Sequence, residues 1–260
     1  MASSFKIFGM TFYPYSLLMI VGAVVCFLLY MYLSYTRHKD AKNENIFAVE
    51  MLVVALGLAV PAALLVDSLF KYFETGVFKI GAATFYGGML FGLVFFAIIM
   101  SFRKRKKVSI YERLSDLAPC IAIGHFFGRI GCFLGGCCFG APTESFLGVV
   151  FPEGSLPYEY YGGAVKVHPT QLYEAAFLLA LFFVLFFAFR KDAFPMYFIL
   201  YGVGRTFIEF FRNDDRGAVL GLPISPSQFI SLVLIAVGGI ILVVHYRKKK
   251  PVEPQPQSES

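Results

Sequence analysis

Long apolar runs that recur along the chain limit its fold more than any other feature. They fall at about 14–35, 46–66, 82–102, 116–134, 170–189, 195–211 and 226–246. A spanning helix needs roughly 20 apolar residues. In hydrocarbon, only helices and closed barrels satisfy their own backbone polar groups. Six of the runs are apolar around most of their circumference, which excludes helices lying on a membrane surface. The fourth is interrupted by glycines. The expected fold is therefore all-α: a polytopic membrane bundle of about seven transmembrane helices. Residues 1–246 form a single transmembrane domain, and 247–260, PVEPQPQSES with its preceding lysines, form a disordered tail.

Composition fits this reading. The chain has 260 residues, 58% hydrophobic and 15% charged, against about 25% charged in soluble domains. The net charge of +6 does not point to nucleic acid. The basic residues cluster just after apolar runs: Arg37, Lys39 and Lys42; Arg103 to Lys107; Arg190 and Lys191; Arg247 to Lys250. Such clusters mark cytoplasmic loops. Runs one, three, five and seven then end inside, so the N-terminus is expected outside and the C-terminus in the cytoplasm. The mixed-charge segment with Asp67, Lys71, Glu74 and Lys79 falls outside. So does the loop at about 135–167, where aromatic residues are expected to supply part of the order. The first run is too long for a signal-peptide core, and Val25 before Cys26 is bulky for a lipoprotein cleavage site, so this run reads as a retained span.

With that topology, polar residues from five segments gather at one depth in the outer leaflet. Arg129 lies near the outer end of the fourth run. Arg205, Glu209 and Arg212, spaced i, i+4, i+7, share a face of the sixth. Tyr86, Gly87 and Gly88 open the third run; His168, Gln171, Tyr173 and Glu174 open the fifth; Ser225, Ser227 and Gln228 open the seventh. An arginine within a span costs about 2.5–3.5 kcal/mol on insertion scales and faces a partner or cavity. Two accounts fit: an ion-pair network bracing the bundle, with Glu209 and Glu174 as partners, or an anion site. Guanidinium binds phosphate bidentately, and glycine lets backbone N–H groups approach. In a bilayer, the abundant outer-leaflet phosphate is a lipid head group.

GRIGCFLGGCCFG at 128–140 adds three cysteines beside Arg129. Three readings stand open. The thiols fill buried space; Cys132 forms a disulfide with Cys137 or Cys138; or they act chemically, as a nucleophile or as metal ligands with His125. C-x4-C-C is not a recognisable zinc spacing, so no metal and no cofactor is expected.

GRIGCFLGGCCFG, HPTQLYEA, YGVGRTFIEFFR and SPSQ occur in an order that resembles the prolipoprotein diacylglyceryl transferase family, over nearly the whole chain. The resemblance implies a multi-pass enzyme of the bacterial plasma membrane and makes the domain catalytic. Its expected partners are phosphatidylglycerol and a prolipoprotein signal peptide with a lipobox cysteine. The diacylglyceryl group moves to that thiol as a thioether, and glycerol phosphate leaves. By position, Arg129 is implied to hold lipid phosphate, with Arg205 as the second essential arginine and Glu209 and Arg212 as its partners. Gly87 and Gly88 match the paired glycines of the third span, and Gln171, Tyr173 and Glu174 the QLYE element. The family signature reads Gly-Arg-x-Gly-Asn-Phe-x-Asn-x-Glu; here Cys132, Gly135 and Cys137 replace its two asparagines and its glutamate. Tyr86 stands where the family has a histidine.

The acceptor thiol must become a thiolate to attack carbon, while a phosphate-ester leaving group needs charge neutralisation, which Arg129 and Arg205 supply. His125, His168 and Glu174 are the candidate bases, and Tyr86 a hydrogen-bond donor to lipid. A relative with another acceptor and a non-catalytic lipid-binding protein remain as alternatives. A transporter is disfavoured because the polar cluster lies on one side only.

Overall fold

The computed structural model of the chain describes residues 5–7, 10–12, 14–77, 85–102, 107–212 and 225–249. Helices account for most of them: α1 Pro14–Arg37, α2 Lys42–Thr75, α3 Phe85–Ser101, α4 Ile110–Gly135, α5 Leu156–Tyr161, α6 Thr170–Phe183, α7 Ala193–Glu209 and α8 Pro226–Lys249. A π-helical turn, Val184–Ala188, continues α6. Two short antiparallel strand pairs complete the elements: Phe5–Ile7 with Met10–Phe12, and Val149–Val150 with Lys166–Val167.

By length and composition, four stretches among the described residues can cross a membrane: Pro14–Arg37, Ile110–Gly135, Thr170–Ala188 and Pro226–Lys248. Their outward residues suit hydrocarbon. Ile20, Leu28, Phe187 and Ile240 are all well exposed, and so many large apolar groups facing outward need an apolar surround.

Each expected apolar run contains a helix, but the boundaries differ where local chemistry overrides hydropathy. The fourth helix starts at Ile110 rather than near 116 because Ser109 and Glu112 form a capping box. The Ser109 N–H donates to Glu112 Oε2 at 2.9 Å, and the Glu112 N–H donates to Ser109 Oγ at 3.2 Å. Ser225 and Gln228 of SPSQ do the same for α8, with Pro226 in its first turn. The second helix runs on to Thr75 and stops at Gly76, whose φ of 70° closes it with a bond to the Tyr72 carbonyl. Asp67, Lys71 and Glu74 therefore belong to a helix, not to a loop; Lys79 lies outside the described residues.

The chain divides into two compact units, Phe27–Leu117, and Met1–Cys26 together with Ala118–Ser260. In the first, Tyr30 meets Phe96 edge-on at 6.0 Å, and a buried polar cluster ties the helix ends together. Arg37 Nη1 donates to Asp116 Oδ1 at 2.7 Å, and His38 Nε2 lies 2.7 Å from Asp116 Oδ2. Arg113, fully buried, donates to Ser34 at 2.7 Å and to Asn45 at 2.9 Å. Hydropathy alone marks Arg37 as a topology signal; the fold also uses it as a brace.

In the second unit the glycines of α4 form a packing seam. A methyl group on Gly124 would meet Cys26 and Gly22, on Gly128 Met19, and on Gly131 and Gly135 Tyr15. Residues 124, 128, 131 and 135 lie on one helical stripe, as do 15, 19, 22 and 26 of α1, so the two backbones close like other small-residue membrane pairs. The glycines beside Arg129 thus serve helix contact; their N–H groups are committed to the helix and do not cradle an anion. The loop after α4 is ordered by aromatics, with Phe139 against Tyr160 at 5.7 Å and Tyr161 at 5.8 Å, and Phe133 against Phe151 at 5.8 Å. Phe146 stands outside this cluster, 90% exposed.

Candidate active site

The seam sets the direction of everything else on α4. With the glycines turned to α1, the adjoining face, about 100° round the helix, carries His125, Arg129 and Cys132, spaced i, i+4, i+7. Two residues, Glu174 of α6 and Tyr201 of α7, converge on it. Glu174, 1% exposed, is the hub: its Oε1 accepts from Arg129 Nη2 at 2.9 Å and from the Tyr201 hydroxyl at 3.0 Å, and lies 3.7 Å from His125 Nε2. The Tyr201 ring packs on His125 at 5.4 Å and stacks on Tyr197 at 5.6 Å. Tyr201 is the first residue of YGVGRTFIEFFR, yet nothing in that motif marks its hydroxyl as functional. The signal that finds it is its position, four residues before Arg205 on one helical face.

Arg205 is more enclosed, with 2% of its side chain exposed. Its Nη1 pairs with Glu209 at 2.6 Å, and its Nη2 donates to Ser227 Oγ at 3.0 Å. Ser225 Oγ donates to the other Glu209 oxygen at 2.6 Å. The close approach of α7 to α8 depends on Gly202, where a methyl group would lie 2.7 Å from the Ser231 carbonyl oxygen. His125 is within electrostatic reach of both guanidiniums. Each arginine thus meets its own carboxylate, as removal of a guanidinium from water requires. Arg129 is the more open of the two, with 12% of its side chain exposed, and its buried Nε has no hydrogen-bond partner among the described residues.

Arg212 does not continue the face of Arg205 and Glu209. Helix α7 ends at Glu209, and three-residue turns follow, with the Arg212 N–H bonded to the Glu209 carbonyl at 3.1 Å. This brings Arg212 within electrostatic reach of Cys138.

HPTQLYE divides its labour by helical phase. Thr170 Oγ1 donates to the Cys138 carbonyl at 2.8 Å and Gln171 Nε2 to the Cys137 carbonyl at 2.6 Å, so the first turn of α6 holds the cysteine loop, and Glu174 one turn on holds Arg129. Tyr173 points elsewhere: its hydroxyl lies 3.0 Å from His168 Nδ1, and both rings pack on Phe211. His168 is half-buried and His125 is 3% exposed. Tyr86, Gly87 and Gly88 belong to the other unit, in the first turn of α3; the side chain of Tyr86 lies outside the described residues.

The cysteine loop follows from how α4 stops. Gly136, φ 70°, is the left-handed residue after the helix. The Cys137 N–H bonds to the Cys132 carbonyl at 3.1 Å and the Gly136 N–H to the Phe133 carbonyl at 3.2 Å, which is a Schellman motif. That motif brings the second residue past the helix back over its last turn, here Cys137 over Cys132. Cys138, φ 61°, then takes a left-handed conformation rare for a side-chain-bearing residue. All five cysteines are free thiols, and the sulfurs of Cys132, Cys137 and Cys138 lie within 4.8 Å of one another; His125 is not among them. Hydrogen bonds from the other two thiols hold Cys138 well below the usual thiol range, and Arg129 and Arg212 act in the same direction.

The prolipoprotein diacylglyceryl transferase family model matches residues 2–244. A protein of Clostridium perfringens named phosphatidylglycerol–prolipoprotein diacylglyceryl transferase 2 is 32% identical over 91% of this chain and 92% of its own length. One of Finegoldia magna, named phosphatidylglycerol–prolipoprotein diacylglyceryl transferase, is 31% identical over 95% and 96%. One of Clostridium tetani with that same name is 36% identical over 64% and 65%.

Proposed function

This chain belongs to the prolipoprotein diacylglyceryl transferase family, and on that premise we propose that it transfers the diacylglyceryl group of phosphatidylglycerol to the lipobox cysteine of a prolipoprotein. Glycerol phosphate is the other product. The C–O bond between the diacylglyceryl carbon and phosphate breaks, a C–S bond forms at that carbon, and the thiol proton is lost to a base. We place the enzyme in the bacterial plasma membrane as one catalytic domain over residues 1–246. It has seven spans, an outside N-terminus, an outer loop near 135–167 and a cytoplasmic tail.

The observation that carries the reading is Arg129. One of its donors is held by Glu174, while its Nε, buried and without a partner among the described residues, awaits an acceptor. A phosphate oxygen fits that need, because guanidinium offers five N–H donors in a planar fork. Glu174 and Tyr201 fix the fork's orientation before substrate arrives, so stabilising the departing phosphate costs no rearrangement at the moment of reaction. Arg205, sealed by Glu209 and Ser227, adds positive potential to the same layer, and Arg212 extends it toward the loop. Gln171 and Tyr173 support the loop and the His168 ring. We assign the acceptor proton to His168: when Nδ1–H donates to Tyr173, Nε2 is left as the acceptor. His125 and Glu174 are the bases the test must exclude. Gly87, Gly88 and Tyr86 of α3 are proposed as lipid contacts, and Cys132 and Cys137 as the wall where the family has Asn and Glu.

The test is expression in a cell whose resident transferase can be depleted, with mass analysis of a model prolipoprotein. Gain of a diacylglyceryl group, lost with Arg129→Gln and with His168→Asn but kept with His125→Asn, supports the proposal. Lipid binding without transfer, or a lipid product on another acceptor, overturns it in favour of a non-catalytic or divergent relative.

A further inference from the structure

We propose that Cys132, Cys137 and Cys138 form a three-thiolate binding site for one soft, thiophilic cation of the Cu(I) or Cd(II) class. On spacing alone, C-x4-C-C matches no familiar zinc-ligand pattern. The fold supplies what the spacing hides. The Schellman turn returns Cys137 over Cys132, and the left-handed backbone at Cys138 turns the chain again directly after it, so three sulfurs from seven residues come within 4.8 Å of one another. Three sulfurs around one cation at about 2.3 Å each sit about 4.0 Å apart. A disulfide instead needs two sulfurs at about 2.05 Å. Free thiols within 4.8 Å of one another leave room for one shared cation.

Three further features support the assignment. First, a side-chain-bearing residue held in a left-handed conformation is the kind of local strain that marks functional positions, and it falls on one of the proposed ligands. Second, the loop is held from outside: Thr170 and Gln171 bond the carbonyls of Cys138 and Cys137. The ligands are therefore pre-positioned by α6, as a metal site requires of its surroundings. Third, charge is balanced. Three thiolates around a monovalent or divalent cation carry a net negative charge, and Arg129 and Arg212 lie within electrostatic reach of Cys138. Thiolates select soft metals over hard ones. Binding releases each remaining thiol proton to solvent and involves no change of oxidation state. All three cysteines are half-buried, so an ion can enter from the loop side.

The experiment uses the full-length, reduced protein in detergent micelles, titrated with Cd(II) under anaerobic conditions. The expected result is one equivalent bound per chain, with a thiolate-to-metal absorption band. Cys132→Ser, Cys137→Ser and Cys138→Ser each weaken binding by more than about 10-fold, at least the effect that changes in a ligand's surroundings produce. Cys26→Ser and Cys120→Ser leave it unchanged. Thiol alkylation mapped by mass spectrometry gives a readout on the unmutated protein: Cd(II) protects Cys132, Cys137 and Cys138 together. Absence of a stoichiometric site, binding indifferent to the three serine variants, or protection of other cysteines instead would overturn the assignment. None of these readouts depends on transferase activity, so the site stands or falls apart from the catalytic reading.

Discussion

Replacing Arg129 by lysine separates charge from geometry at the proposed phosphate contact. Lysine keeps the positive charge and can reach Glu174, so the buried ion pair survives in altered form, but it cannot present a planar fork. The guanidinium reaches Glu174 through Nη2 at 2.9 Å and keeps its buried Nε for another acceptor. Arg129→Lys therefore removes about one charge-assisted hydrogen bond to phosphate, worth about 1.5–3 kcal/mol. At about 1.36 kcal/mol per decade, that is roughly a 10- to 150-fold loss in kcat/KM. Thermal unfolding in detergent should change little. Arg129→Gln behaves differently, because it strips the counter-charge from a carboxylate that is 1% exposed. Breaking a buried pair from one side costs about 3–5 kcal/mol, so that variant should lose both transfer and melting temperature. The assay is transfer from phosphatidylglycerol in mixed micelles to a lipobox peptide, followed by mass spectrometry, with a melting curve on each sample. If Arg129→Lys transfers at half the unmodified rate or better, the bidentate phosphate contact is wrong and Arg129 is a structural partner of Glu174.

Further outcomes follow from the same geometry. Tyr201→Phe removes the 3.0 Å donor to Glu174 but keeps both ring contacts; it should lower stability by about 1.5–3 kcal/mol, the worth of a hydrogen bond to a charged group, seen as a lower melting temperature. Asp116→Asn removes the charge shared by Arg37 and His38 and should cost about 3 kcal/mol; an unchanged melt would mean that the cluster is incidental. Gly202→Ala forces a methyl group against the Ser231 carbonyl and should cost about 1–3 kcal/mol by overpacking. It should also reduce transfer by shifting Ser227 from Arg205, and a variant with unchanged melt and activity would refute the tight α7–α8 approach.

The helical runs were legible because apolar length is a strong signal. Their ends were not, because caps decide them. Ser109 and Glu112, an S-x-x-E pair, extend α4 beyond the apolar run, and nothing in hydropathy reports that. Arg129, Glu174, Arg205 and Glu209 were visible as charges where charge is costly, and periodicity placed them on inward faces. Their pairing across helices was a choice among partners that spacing leaves open. The glycines near Arg129 are ambiguous in sequence for a physical reason: glycine serves close helix approach as well as anion cradling, and only the α1 stripe distinguishes the two. Tyr201 escaped notice because a tyrosine in an apolar run is commonplace until its hydroxyl is seen to meet a buried carboxylate. The cysteine cluster was hidden in the Gly135–Gly136 pair, a helix-stop signal that predicts the chain's return.

The two ion pairs differ in one respect that bears on how the protein is made. Arg205 finds Glu209 one turn along the same helix, so that segment can leave the insertion machinery already neutralised, as a dipole. Arg129 has its counter-ion on a helix synthesised well after its own. Until α6 arrives, α4 carries an uncompensated cation, so its lateral release into lipid should be delayed, and the pair α4–α6 should enter the bilayer together.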